Sequence, residues 1–134
     1  MPTQTEEFLR THPRDVGGDV DLVKTAVERL AACAQAGTAC ADACLGEPRV
    51  AELAACIRLD LDCAQVCEAT ESVLTRRTEP NRALQRSLVE TCVLYCEACA
   101  RECERHAAHH RHCRLCAETC RMCEDACRQL LVHL

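Results

Sequence analysis

The cysteines of this chain recur at helical spacing. Fifteen of its 134 residues are cysteine, and within four stretches of sequence successive cysteines are three, four or seven residues apart. Those intervals bring side chains to one face of an α-helix, where residues three and four apart are neighbours. Thiols therefore occupy the inward stripes in which a protein of this size ordinarily keeps leucine and phenylalanine. Any fold for the chain has to be built around them.

The rest of the composition leaves little else for a core. Phe8 and Tyr95 are the two aromatic residues, and there is no tryptophan. A large buried side chain contributes roughly 1.5–3 kcal/mol, so an interior this poor in bulk needs something to fill or brace it. At 134 residues the chain is read as one domain, with 1–18 as an N-terminal extension and 19–134 as the body. A net charge of −5 argues against a nucleic-acid footprint. No stretch of about 18 apolar residues is present to span a membrane. The opening MPTQTEEFLRTHPRDVGG has neither a basic start followed by an apolar run nor a twin arginine. A cytoplasmic location is expected, where thiols stay reduced.

That compartment and the odd cysteine count disfavour a disulfide scaffold. Geometry does too, because helical neighbours have Cβ atoms about 5–6 Å apart, whereas a disulfide needs about 3.5–4.5 Å. Bridges between helices are the remaining alternative.

Four segments follow the same three-four alternation. The first, from about Asp19 to Leu45, carries Val23, Ala26, Leu30, Cys33, Gly37, Cys40 and Cys44. The second, from about Pro48 to Thr75, carries Leu53, Cys56, Asp60, Cys63, Cys67, Thr70 and Leu74. The third, from about Pro80 to Ala107, places Cys92, Cys96, Cys99, Cys103 and His106 in line. The fourth, from about His110 to His133, aligns Cys113, Cys116, Cys120, Cys123, Cys127, Leu130 and Leu134. A sustained alternation of this kind is the seam of helices that wind together. Gly46, Pro48 and Pro80 mark stops and starts, and CAQAGTACADAC and CIRLDLDCAQVC repeat one Cys-x6-Cys-x3-Cys pattern. The fold class expected is all-α: an antiparallel up-down-up-down four-helix bundle. A short N-terminal helix, capped by Thr3 and Glu6 and ending before Pro13, precedes it. Between Cys103 and Cys113 no glycine or proline breaks the seam, so one long helix is the alternative. A turn near 107–109 is expected, because it lets both cysteine-rich halves share a core.

In such a bundle the 45–48 and 107–109 turns lie at one end, and the thiols fill roughly the first 27 Å from it. The far end carries Val23, Val27, Leu30, Val73, Leu74, Leu84, Leu88, Leu130 and Leu131. The interior should then be greasy at the closed end, thiol-lined along its length, and open at a mouth where His106, His109, His110 and His112 cluster. His106 and His110 continue the inward stripe and are the stronger metal-handling candidates; His109 and His112 are the weaker ones. Asp60 sits inward between Cys56 and Cys63, where a carboxylate is costly unless paired or bound to a metal, and is expected to be a ligand. Gly37 is the matching gap on the first helix.

Soft thiolates select Cu(I), Zn(II) or iron–sulfur clusters. Zinc sites read as discrete quartets, and iron–sulfur motifs wrap loops around the cluster; neither pattern is present. Cu(I) needs as few as two thiolates and can share them, so a continuous row of thiols becomes a row of sites. The segments TCVLYCEACARECERH and HCRLCAETCRMCEDAC, with the two repeats before them, resemble the cytosolic copper storage proteins of bacteria over about residues 19–133. The resemblance implies a homotetramer of bundles, each holding many Cu(I) ions through Cys-x3-Cys and related pairs, with access at the histidine end. Gly37 and Asp60 are where this chain departs from the pattern. Copper ions, and a copper chaperone that exchanges them, are the expected partners. Cu(I) storage and detoxification is the function expected; the alternatives are cuprous oxidase activity at a mouth of Asp60, His106 and His110, and a zinc or general metal buffer.

Overall fold

Why the helices start where they do is visible in their caps. The computed structural model describes residues 1–14 and 17–134; Asp15 and Val16, part of the expected extension, lie outside the described residues. Helix α1 spans Gln4–Arg10, α2 Val20–Leu45, α3 Ala54–Thr75, α4 Arg82–His106 and α5 Arg111–Leu131, with a 3₁₀ turn at Val50–Leu53. Asp19 caps α2, its Oδ1 accepting from the N–H groups of Asp21 at 2.9 Å and Leu22 at 3.3 Å. Gly17 and Gly18 precede it with φ of 75° and 82°, a region open to glycine at little cost. Asn81 caps α4, accepting from Leu84 N–H at 3.1 Å.

Three boundaries differ from the sequence expectation. The second bundle helix begins at Ala54 instead of near Pro48, because residues 50–53 wind as a 3₁₀ turn that tucks Leu53 inward. Pro80 lies ahead of the third helix, since Asn81 supplies the side-chain acceptor that the helix start requires. The fourth starts at Arg111, after His110 in extended geometry, and ends at Leu131. The unmarked turn at 107–109 exists: the N–H groups of His109 and His110 both bond His106 O, at 3.1 and 3.0 Å.

Helices α2 and α4 each pack against both α3 and α5, which closes the four-helix bundle, while α1 lies along α2. Thr3 caps α1 by accepting from Glu6 N–H at 3.1 Å and donates to Glu28 Oε1 at 2.7 Å. The Glu6 carboxylate pairs with Arg10 at 2.9 Å and lies 3.8 Å from Lys24. Arg121 ties α5 to α4 through Glu104 at 2.8 Å, a surface pair of modest worth.

The closed end is aliphatic as expected, with Val27, Leu30, Leu74, Val89 and Leu130 buried. Leu84 is the exception: it is 68% exposed, and Val89 and Gln85 hold the inward positions of α4. Counting back from Cys92 by three and then four reaches Val89 and Gln85, so the cysteine stripe itself sets that register.

Candidate metal centre

All fifteen cysteines are free, and none is more than 2% exposed. Their sulfurs meet across helices. Cys33 Sγ lies 3.6 Å from Cys120 Sγ, Cys56 Sγ 3.6 Å from Cys103 Sγ, and Cys67 Sγ 3.8 Å from those of Cys92 and Cys96. Cys63 Sγ is 3.9 Å from Cys67 and Cys96. A disulfide would need about 2.05 Å. Two metal–sulfur bonds of about 2.3 Å span roughly 3.8 Å at a tetrahedral angle and about 4.6 Å in line. The core is thus spaced for bridging by ions.

Donor atoms fall into groups in which every pair is within 4.8 Å. Cys33, Cys63, Cys67 and Cys96 form one, and Cys63, Cys99 and Cys120 another. Nearer the mouth lie Cys40, Cys44, Cys113 and His112; Cys40, Asp60, Cys103 and Cys116; and Cys40, Cys44, Cys56 and Asp60. The groups overlap: of those named, Cys40 belongs to three, and Cys44, Cys63 and Asp60 to two each. Deeper still, Cys92, Cys123 and Cys127 are fully buried. No partition of these thiols into separate quartets uses them all.

Asp60 is the polar hub. It is fully buried. Its Oδ1 accepts from the thiols of Cys99, Cys103 and Cys116 at 3.2, 3.3 and 3.5 Å, and Cys56 Sγ lies 3.8 Å from Oδ2. Burial pushes its carboxyl up to about 8, and the neighbouring Cys116 and Cys56 sulfurs push the same way. Gly37 explains itself here: a Cβ on it would lie 2.6 Å from Asp60 O, so the gap in the α2 stripe is where the α3 backbone comes in. Burial likewise raises the thiol of Cys44, to about 11, and that of Cys113. These thiols hold their protons until something displaces them.

The histidines divide differently from the sequence expectation. His112 points into the core: its Nδ1 is 3.5 Å from Cys40 Sγ, 4.0 Å from Cys44 Sγ and 3.6 Å from Cys113 Sγ. His106 and His110 sit at the mouth and face carboxylates, His106 Nε2 at 2.8 Å from Glu102 Oε2 and His110 Nδ1 at 3.1 Å from Glu47 Oε2. His109 is exposed. Together with Glu47, Glu52 and Leu53, the three histidines 106, 109 and 110 line an open depression of about 410 Å³ at this end. The spacing signal for His112 was available, since it stands four residues before Cys116 on α5. Glu47 and Glu102 carried no sequence signal.

Residues 20–132 match the sequence profile of the family described as copper storage protein. No curated protein sequence matches the chain. Among solved structures, the copper storage protein Ccsp from Streptomyces lividans loaded with 10 copper equivalents is 51% identical with a TM-score of 0.96, over 98% of this chain and 100% of that one. The cytosolic copper storage protein of the same organism carrying five coppers is 52% identical with a TM-score of 0.84, over 85% of this chain and 95% of that one. With a cysteine-lined bundle, a family profile spanning nearly its whole length and half its residues shared with these structures, the chain belongs to the copper storage protein family.

Proposed function

We propose that this protein is a cytosolic Cu(I) store and detoxifying buffer. Its likeness to a protein described as a cytosolic copper storage protein supports the location, and none of the described helices is long and apolar enough to cross a membrane. The observation that carries the reading is the overlap of the buried donor groups. Thiolates that each belong to two or three groups suit ions that share ligands, as Cu(I) does, and not isolated tetrahedral ions.

Charge balance points the same way. A buried thiol that exchanges H⁺ for Cu⁺ leaves the interior at unchanged charge. A divalent ion bound by four thiolates leaves a net double negative charge, and uncompensated buried charge is expensive. One-for-one exchange of H⁺ for Cu⁺ adds no charge to the core however many thiols take part. The fifteen thiols, Asp60 and His112 are the ligands in this reading, with Asp60 and His112 serving the sites nearest the mouth and His106 and His110 handling copper at its rim. The family resemblance further supports a homotetramer; a copper chaperone is the proposed exchange partner.

The test is an anaerobic titration of the reduced protein with Cu(I) against a competing colorimetric chelator, with zinc in parallel and proton release recorded. Uptake of at least one Cu(I) per pair of thiols, unaffected by zinc and accompanied by proton release, is expected. Saturation at three or four ions with zinc preferred would overturn the storage reading. Sedimentation velocity of the same samples tests the tetramer.

A further inference from the structure

His112 can offer Nδ1 as a lone pair to copper only if its ring proton sits on Nε2, because a neutral imidazole has one donor and one acceptor nitrogen. Something must therefore stabilise the Nε2–H tautomer. The ring is enclosed by Cys40, Cys44 and Cys113 on its Nδ1 side. On the other side its buried Nε2 has no aligned hydrogen-bond partner, yet Glu47 Oε1 is 3.4 Å away. The second oxygen of the same carboxylate is 3.1 Å from His110 Nδ1. The two imidazoles face each other with centroids 5.4 Å apart and planes tilted by 32°.

Glu47 is well placed to hold both rings. Its backbone is fixed in the turn after α2, where its N–H bonds Cys44 O at 3.1 Å, and Pro48 follows it. Its carboxylate crosses from that turn to the start of α5, linking the rim histidine to the inner one. Metal-binding histidines commonly donate their other N–H to a carboxylate, which sets the tautomer and ring orientation. Glu102 stands in the same relation to Nε2 of His106.

The geometry points to Glu47 as a positioning residue for copper transfer: it fixes His112 with Nδ1 toward Cys40, Cys44 and Cys113, and couples it to His110 at the rim. This rests on the storage reading for its purpose, but the arrangement of the ring is a property of the metal-free protein and can be measured there.

The experiment compares wild type with Glu47→Gln, Glu47→Ala and Glu47→Asp in the full chain, each verified as folded by circular dichroism. Long-range proton–nitrogen NMR correlations at mildly alkaline pH report the His112 tautomer without copper. Anaerobic stopped-flow mixing with Cu(I) reports the rate of the first equivalent, and titration reports total capacity. Expected are an Nε2–H tautomer in wild type, a mixture in Glu47→Ala, first-equivalent binding slower by roughly tenfold, and unchanged capacity. Glu47→Asp, which keeps the charge, should recover most of the effect, and Glu47→Gln, which keeps the shape, should recover less. A tautomer that is the same in wild type and Glu47→Ala overturns the proposal, whatever the copper data show. So does a first-equivalent rate within twofold of wild type in Glu47→Ala. Failure of wild type to take up copper would instead strike the storage reading, leaving the tautomer result to decide the role of Glu47.

Discussion

Gly37 of α2 faces the main-chain carbonyl of Asp60 on α3, so closely that a Cβ at residue 37 would lie 2.6 Å from that oxygen and 3.3 Å from Ala64 Cβ. The contact is with backbone, which cannot rotate away. Gly37→Ala should therefore spread α2 from α3 and destabilise the apo protein by about 1–3 kcal/mol, as overpacking does, in spite of alanine's better helix propensity. Urea denaturation checks this; an unchanged midpoint would mean that α3 yields without cost. Displacing Asp60 should also weaken copper binding at the donor groups it shares with Cys40, and leave binding around Cys67 unchanged.

Asp60 makes the stability of the empty protein depend on pH. Its carboxyl is raised from 3.8 to about 8, so the folded state binds that proton more tightly than the unfolded one. Stability from this group is full below about pH 4 and is lost progressively as pH rises through about 8. Asp60→Asn removes the penalty. The apo variant should be more stable than wild type by about 1–3 kcal/mol near neutral pH and flatter between pH 4 and 8. Thermal melts across that range decide it, and a variant less stable than wild type at pH 8 would contradict the raised carboxyl.

His112→Ala removes one donor from the group of Cys40, Cys44 and Cys113 but leaves the sulfurs. Total copper should change little, and binding at the mouth-end group should weaken at least tenfold, about 1.4 kcal/mol. Chelator competition at low occupancy resolves the two effects. Equal affinity for wild type and variant would remove His112 from the ligand set.

Leu30→Ala opens a cavity in the closed end, where Leu30 is fully buried. The apo protein should lose about 2–5 kcal/mol, a large fraction of the stability of a small domain. Copper capacity should be retained, because the thiols remain, and loading should restore stability by linkage, about 2.7 kcal/mol for each site at a free concentration 100 times its dissociation constant. Calorimetry of apo and loaded variant checks both statements together.

The legibility of this protein follows from the range of each signal. Helix periodicity is local, so the four stripes and the inward side of all fifteen cysteines could be read from spacing alone; the turn at 107–109, where the spacing runs on unbroken, followed only from the need for both cysteine-rich halves to share one core. Helix starts were less legible near Pro48 and Pro80, because a 3₁₀ turn and an Asn81 cap moved them by a few residues. Leu84 was misassigned for the reverse reason: hydrophobicity suggested burial, but the register that Cys92 imposes turns it outward.

What the sequence by itself determined is the set of residues on each inward face, because a residue's angle about its own helix depends only on its neighbours in the chain. What only the tertiary structure decided is which faces meet and at what height. That brings Cys56 to Cys103 and Cys33 to Cys120, sets Asp60 among thiols from two other helices, turns His112 inward and His110 to the rim, and lays the Asp60 carbonyl against Gly37. Those relations depend on the rotation and axial offset of packed helices, which are fixed by the sum of contacts across the bundle and are written in no single segment.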